Sequence, residues 1–211
     1  MKLLVIGATA GIGALVAQEA QTRGHSVRAF GRSADKLEPS DTLEPWVGDA
    51  TEASDLAPAL AGVDAVVMTL GIRESIAMLW QPVTLFSAAT SALVPLMEQH
   101  GPDRLIAVTG IGAGDSHAAL STAERLGHKI LLSKPYDDKT RQEEIIRASR
   151  LRWTLARPTI LTSNAASRRY RVMEEPAQWR MGMISRADVA DYIVTALGDD
   201  STVGKAPVLA R

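Results

Sequence analysis

The sequence predicts an α/β fold, a doubly wound parallel sheet with helices on both faces. Strand-sized apolar runs alternate with helix-length amphipathic segments along the chain. The first run, Lys2-Leu-Leu-Val-Ile6, passes directly into a glycine-rich turn, GATAGIG at 7–13, which opens a helix. With 211 residues, 46% of them apolar, the chain is long enough to bury a core on both sides of a sheet.

Strands are expected at about 2–6, 26–30, 44–48, 64–70, 104–109, 152–157 and 206–209, and helices at about 11–23, 52–61, 82–99, 138–149 and 186–198. The first helix places Ile12, Leu15, Val16 and Ala20 on one face, and Gly24 stands where a helix C-terminus needs a left-handed residue. Ser185-Arg-Ala-Asp188 reads as a capping start for the last helix, with Ile184 and Val189 placed for a hydrophobic staple. The beat fails at 110–136 and 162–184. Both segments follow a strand and are expected as loops at the carboxyl edge, where open α/β sheets bind ligands. No linker or internal repeat is visible, so 1–211 is expected to form a single domain.

Composition excludes several chemistries. There is no cysteine, hence no disulfide and no thiolate nucleophile or ligand. The four histidines are scattered without zinc-site spacing, and no metal is expected. Charges of 23 and 24 leave a net −1 with no basic stripe, against a nucleic-acid partner. No apolar run is long enough to cross a membrane, and glycine interrupts the N-terminal apolar run too early for a signal peptide. The expectation is a cytoplasmic protein acting on a small molecule, as monomer or homodimer.

The glycine turn carries the chemistry. Gly7 lets the strand turn sharply, Ala10 and Gly11 let backbone approach a diphosphate, and Gly13 lets the helix press onto the sheet. The phosphates would then meet free N–H groups at the helix N-terminus. The bland alternative is a tight βα turn with no ligand. At the tip of the second strand, Gly31-Arg32-Ser33 lacks the acid that holds ribose hydroxyls in an NAD site. Arg32 could clamp a 2′-phosphate with help from Ser33, favouring NADP(H) over NAD(H), or could be a solvated surface arginine. Asp49, before Ala50, could accept from an adenine amino group or cap the next helix.

A proton donor is less evident. Ordinary short-chain dehydrogenases pair a tyrosine with a lysine four residues on. Here Tyr136 precedes Lys139 by three, with Thr140 in the usual lysine position. The two still share a helical face, and can be read as a catalytic pair or as a solvated helix start; Lys139 could also reach the cofactor. Thr109 could bond substrate or an ordered water, or satisfy nearby backbone. His117 could donate a proton or simply be exposed. Arg168, Arg169, Tyr170 and Arg171 could receive an anion or form a solvated face, and Trp80, Trp179, Met181 and Met183 could wall a pocket or belong to the core.

The segments GATAGIG (7–13), WVGDA around Asp49, VDAVVMTLG (63–71), DRLIAVTGIGAGDS (103–116), RQEEIIRASRLRWTLARPTILT (141–162) and ISRADVADYI (184–193) together resemble the atypical short-chain dehydrogenase/reductase superfamily, of Rossmann fold. Within it the likeness is to the biliverdin reductase B and NADPH-flavin reductase group and to NmrA-like proteins, and it runs nearly end to end. The resemblance implies strand order 3-2-1-4-5-6-7 and an NADPH site. It implies diphosphate at Thr9, Gly11, Ile12 and Gly13, 2′-phosphate at Arg32 and adenine at Asp49. Leu70 and Gly71 would lie on the adenine-ribose side, Thr109 and Gly110 near the nicotinamide, and Pro158, Thr159 and Ile160 behind its ring. The sequence departs from the group in two places. Position 10 is Ala where GATGxxG has glycine, and Gly110 stands where some relatives carry serine.

Two functions fit this reading. One is an NADPH-dependent reductase of a small planar or carbonyl acceptor, with flavin as a substrate and not a bound cofactor. The other is an NADP-binding redox sensor of NmrA-like type without turnover. An epimerase or dehydratase that keeps its cofactor is a third, disfavoured by Arg32.

Overall fold

The computed structural model describes residues 1–72, 83–119 and 133–211, with side chains except at 117–119 and 133. The strands are β1 Lys2–Ile6, β2 Ser26–Gly31, β3 Leu43–Val47, β4 Ala65–Met68, β5 Arg104–Val108, β6 Arg152–Pro158, β7 Ile160–Thr162, β8 Arg171–Met173, β9 Met183–Ser185 and β10 Val208–Ala210. The helices are α1 Gly11–Thr22, α2 Ala53–Ala59, α3 Leu85–His100, α4 Ser133–Ala148 and α5 Arg186–Leu197. The main sheet runs β3-β2-β1-β4-β5-β6-β10-β8. Counting β10 as the seventh strand expected from sequence, this is the doubly wound 3-2-1-4-5-6-7 order with one addition. That addition, β8, pairs antiparallel to β10 at the edge; every other pair in the sheet is parallel.

Why the sheet is buried on both faces follows from period-two alternation of an all-apolar strand. In β1, Leu3 and Val5 join Val16 and Ala20 of α1 and Val189 and Ile193 of α5 in one core. Leu4 and Ile6 point the other way, into a core with Leu56 of α2, Leu93 of α3 and Ile146 of α4. Gly24, with φ +79°, ends α1 as its position predicts. Ser185 Oγ accepts from the Asp188 N–H at 2.9 Å and starts α5, with Ile184 and Val189 both buried beside it.

Two expectations are corrected. The segment 162–184 is not a plain loop, because it holds β8 and parts of β7 and β9, and β7 pairs with β9 in a small parallel sheet. Strands of three residues are too short to show a period. Helix α4 starts at Ser133 and not near 138, so Tyr136 lies inside its first turns. Pro135 is tolerated there because the first helical N–H groups have no intrahelical partner. Of the loop expected at 110–136, residues 120–132 lie outside the described residues, as does Trp80.

The point on which the carboxyl edge turns is Gly13. A Cβ there would stand 2.1 Å from the Gly7 carbonyl oxygen and 2.5 Å from Thr69 Oγ1. Both neighbours are held: Thr69 donates to the Ile6 carbonyl through its N–H and its hydroxyl, each at 2.9 Å. Gly13→Ala is therefore expected to lose about 2–3 kcal/mol of stability, the cost of overpacking against atoms that cannot move. Urea unfolding, read beside cofactor titration, should show both losses together.

Candidate functional site

The glycine turn is wedged between two strand ends. Gly7, at φ +90°, donates to the Phe30 carbonyl of β2 at 2.9 Å, and a Cβ on it would meet the Thr69 carbonyl beyond β4 at 3.0 Å. Thr9 closes against Gly31, whose Cβ would stand 3.2 Å from the threonine methyl. Ala10 is the N-cap of α1, and no side chain caps it. Gly11 follows at φ +58° with nothing near its Cβ position. The first turn, with Ile12 and Gly13, carries no acidic residue. An uncapped N-terminus without an acid leaves its N–H groups and the positive end of the helix dipole for an anion.

At the β2 tip, Arg32 is exposed and Ser33 half-buried. The hydrogen bonds from Thr51, and to a lesser degree the Arg32 charge, hold the Asp49 carboxyl below its ordinary value. Asp49 Oδ1 accepts from the Thr51 N–H at 2.9 Å and the Thr51 hydroxyl at 2.8 Å. Asp49 thus ties the turn before α2 and does not cap the helix itself, whose N-cap is Glu52 with no side-chain cap bond. Ala50 beside it is buried; Leu70 is half-buried and Gly71 exposed, both past the end of β4.

The three candidate catalytic residues converge at the end of β5. Lys139 Nζ donates to the Thr109 carbonyl and lies 4.9 Å from the Phe86 ring centre and 5.9 Å from that of Tyr136. Burial pushes the Lys139 ammonium down to about 8, against the pull of Glu143. The Tyr136 hydroxyl lies 3.0 Å from where a Gly110 Cβ would be, so glycine at 110 leaves room for the phenol. Thr140 bonds the Tyr136 carbonyl at 2.9 Å and accepts from the Gly114 N–H at 3.0 Å. The residue in the usual lysine position instead fastens the loop after β5.

Thr109 is only 2% exposed, and its hydroxyl donates to Glu143 Oε1 at 2.7 Å. With that proton committed inside the core, the hydroxyl has none left to give a substrate; the backbone of Thr109 is what meets Lys139. Glu143 also accepts from Arg157 Nε at 2.9 Å, and Arg157, wholly buried, reaches Asp115 with Nη2. Its guanidinium lies 5.3 Å from the Trp179 ring centre. Two ion pairs of Arg157 therefore join β6, α4 and the loop after β5, and its ring contact adds the segment after β8. Sequence reasoning missed it, although an arginine inside WTLARP and an acid in helical register with Tyr136 and Lys139 were its signals. Also missed was Asp138, buried, which caps α3 by accepting from Phe86 N–H at 2.8 Å.

Of the ring-side candidates, Pro158 ends β6 and is buried, and the Thr159 hydroxyl is committed to the Leu209 carbonyl at 3.0 Å. Ile160 opens β7 and is 55% exposed. It lines a groove of about 620 Å³ with Met181 and Met183. The Arg168–Arg171 cluster is not one anion site. Arg168 pairs with Glu19 and Asp191, and the Tyr170 hydroxyl donates to Asp191 at 2.6 Å. Trp179 is core, bonded through Nε1 to the Met173 carbonyl. The His117 side chain lies outside those described.

Removing one partner of the Arg157–Glu143 pair leaves the other buried charge with only a partly exposed counter-charge, Asp115 for Arg157 and Arg147 for Glu143. Glu143→Ala or Arg157→Ala is expected to cost about 3–5 kcal/mol, and the double variant Glu143→Leu/Arg157→Met much less than their sum. Denaturant melts of the three proteins check this.

Residues 7–200 match the NAD(P)H-binding family. A 3-beta-hydroxysteroid dehydrogenase of Mycolicibacterium neoaurum is 37% identical over 73 residues, which is 35% of this chain and only 20% of that protein. YhfK of Bacillus subtilis (strain 168), described as an uncharacterized sugar epimerase, is 27% identical over 98% of this chain and 92% of its own. Among solved structures, ChuY, an anaerobilin reductase from Escherichia coli O157:H7, is 25% identical, covers 100% of this chain and 97% of its own, and superposes with TM-score 0.83. With its sheet order, its glycine turn and a match spanning nearly its whole length, this chain belongs to the NAD(P)H-binding family.

Proposed function

We propose that the protein is an NADPH-dependent reductase that passes hydride to a small planar or carbonyl acceptor, flavin among the candidates. The observation that carries this reading is the pairing of two ends of one edge. The uncapped, acid-free first turn of α1 stands at one end, entered through Thr9, which packs on Gly31 next to Arg32, and Tyr136 and Lys139 stand together at the other.

In this reading the N–H groups of Thr9, Gly11, Ile12 and Gly13 hold the diphosphate, and Arg32 with Ser33 holds the 2′-phosphate. Asp49 and Ala50 border the adenine, with Leu70 and Gly71 on the ribose side. Gly110, Pro158, Thr159 and Ile160 enclose the nicotinamide, which supplies the hydride when bound. Lys139, already fixed to the Thr109 carbonyl, has two further N–H donors for ribose hydroxyls. Tyr136, beside that ammonium, is the group placed to give a proton to an acceptor oxygen; a flavin can take its proton from water. Thr109 acts by positioning Lys139. The apolar groove of Ile160, Met181 and Met183 has a volume in the range of small-molecule sites. That Tyr136 and Lys139 meet despite their three-residue spacing favours turnover over the sensor reading.

Oxidation of NADPH and NADH against flavins and quinones, with titration of both cofactors, tests the proposal. NADPH turnover is expected, and Arg32→Ala should weaken NADPH by about 10- to 100-fold, the value of a charge-assisted phosphate contact, while leaving NADH nearly unchanged. Tight NADPH binding without turnover on any acceptor would replace the reductase by the sensor.

Lys139 adds a pH signature. It is charged below about 8 and loses its charge as pH rises through that value. NADPH affinity should therefore decline between pH 7 and 9, and Lys139→Met should flatten that slope. Stability moves the other way. The folded value, about 8, lies below the ordinary 10.5. Between those values the unfolded chain binds more protons, and stability rises with pH.

A further inference from the structure

We infer that Arg186 is a further cofactor contact, closing on the dinucleotide diphosphate from the side opposite the glycine turn. The inference rests on the dinucleotide site proposed above.

A cavity of about 470 Å³ separates the first turns of α1, at Gly11, Ala14 and Leu15, from residues 163–165 and Arg186. It shares Asn164 and Ala165 with the larger groove over β7 and β9. One wall is the uncapped helix start, where an anion is favoured and no side chain supplies one. The facing wall presents a guanidinium. Among the described residues Arg186 pairs with no carboxylate; its side chain meets only Ser163 Oγ, at 3.4 Å. Of the nearby arginines, Arg168 and Arg23 are each paired twice, and Arg169 and Arg171, which also form no ion pair, are exposed and lie outside the cavity lining.

Among the described residues no carboxylate stabilises a cation at this position. Arg186 is the first residue of α5, the positive end of that helix, where a positive side chain is unfavourable. The acid of the same turn, Asp188, does not neutralise it. Asp188 is buried and accepts from the backbone N–H groups of Ser167 and Arg168, each at 2.7 Å, and from Ser185 Oγ. An unpaired arginine placed against its own helix dipole, across a cavity from a second free helix start, is accounted for by an anion between the two. A diphosphate has the charge and the spread of oxygens for both walls.

The diphosphate is common to both cofactors, so the signature differs from that of Arg32. Arg186→Met should weaken NADPH and NADH by the same factor, about tenfold for a half-buried charged contact, and should reduce the salt dependence of both. Arg169→Met, which removes an equal charge from an exposed arginine outside the cavity, should change neither. Arg186→Lys should recover part of the loss, and unchanged melting temperatures would show that the variants fold.

Loss confined to NADPH, or no loss in either titration, would overturn the inference. So would intact cofactor binding with a raised KM for FMN but not for riboflavin, which would move Arg186 to the acceptor. The reductase reading fails separately: a wild type that binds NADPH without oxidising it refutes turnover and leaves the Arg186 titrations fully informative. A wild type that binds neither dinucleotide refutes both.

Discussion

Helix α1 lies against the end of β1 only because residue 13 has no side chain. The space a Cβ would need is filled by the Gly7 carbonyl and the Thr69 hydroxyl, both fixed by bonds to the ends of neighbouring strands. Everything at the carboxyl edge follows from that contact. It sets where the free N–H groups of the first turn point, because the helix cannot slide outward without opening the apolar face it shares with β1 and α5. It also sets the direction of the chain out of β1, which requires φ +90° at Gly7. A β-carbon at either position would act on the whole edge and not on one contact.

A second constraint works at the other end of that edge. Arg157 is buried at the end of β6 at the expense of its hydration, and is tolerable there because Glu143 and Asp115 meet it. The same carboxylate takes the proton of Thr109, whose carbonyl in turn holds Lys139. The polar groups of this region are thus arranged in series, from a strand through a helix to the ammonium beside Tyr136. Gly114 belongs to the series: a Cβ there would meet Glu143 Oε2 at 2.5 Å, so the loop can pass over the pair only as glycine. A buried pair of this kind contributes little net stability, but it fixes one arrangement, since every alternative leaves a charge unpaired in the core.

The parts of this architecture legible in the sequence are those encoded locally. Alternating apolar runs, the GATAGIG turn, the Gly24 stop and the Ser185–Asp188 start each depend on neighbours a few residues away, and each stands where its pattern puts it. The illegible parts depend on contacts across the chain. Arg157 and Glu143 are 14 residues apart, and Asp138 caps α3 from a distance of 52 residues. No periodicity announces such pairs. Tyr136 and Lys139 fall between these cases. Their shared face was readable, but their closeness to Thr109 and Gly110 depends on how α4 packs beside β5. The strands β7, β8 and β9 were hidden for another reason: three residues carry no period, and their pairing is a property of the sheet they join.

Charge along this edge is distributed in a way that the overall composition conceals. The chain is almost neutral, and its buried arginines are held by bonds within the fold, with only Arg104 Nε lacking a partner among the described residues. Arg28 is bonded to Glu44 and two backbone carbonyls, Arg104 to backbone and threonine oxygens, and Arg157 to two acids. These cations belong to the fold. Among the described residues, Arg32, Lys139 and Arg186 belong to a larger set of cations that form no ion pair. They stand at three separate places around the same carboxyl edge: the β2 tip, the end of β5, and the wall facing α1. Neutralising any of them would have required only one nearby acid, a common device elsewhere in this chain. Leaving all three without one concentrates positive potential where the first turn of α1 already offers its N–H groups. A protein with a net charge of −1 can in this way hold a locally positive potential at one edge of its sheet.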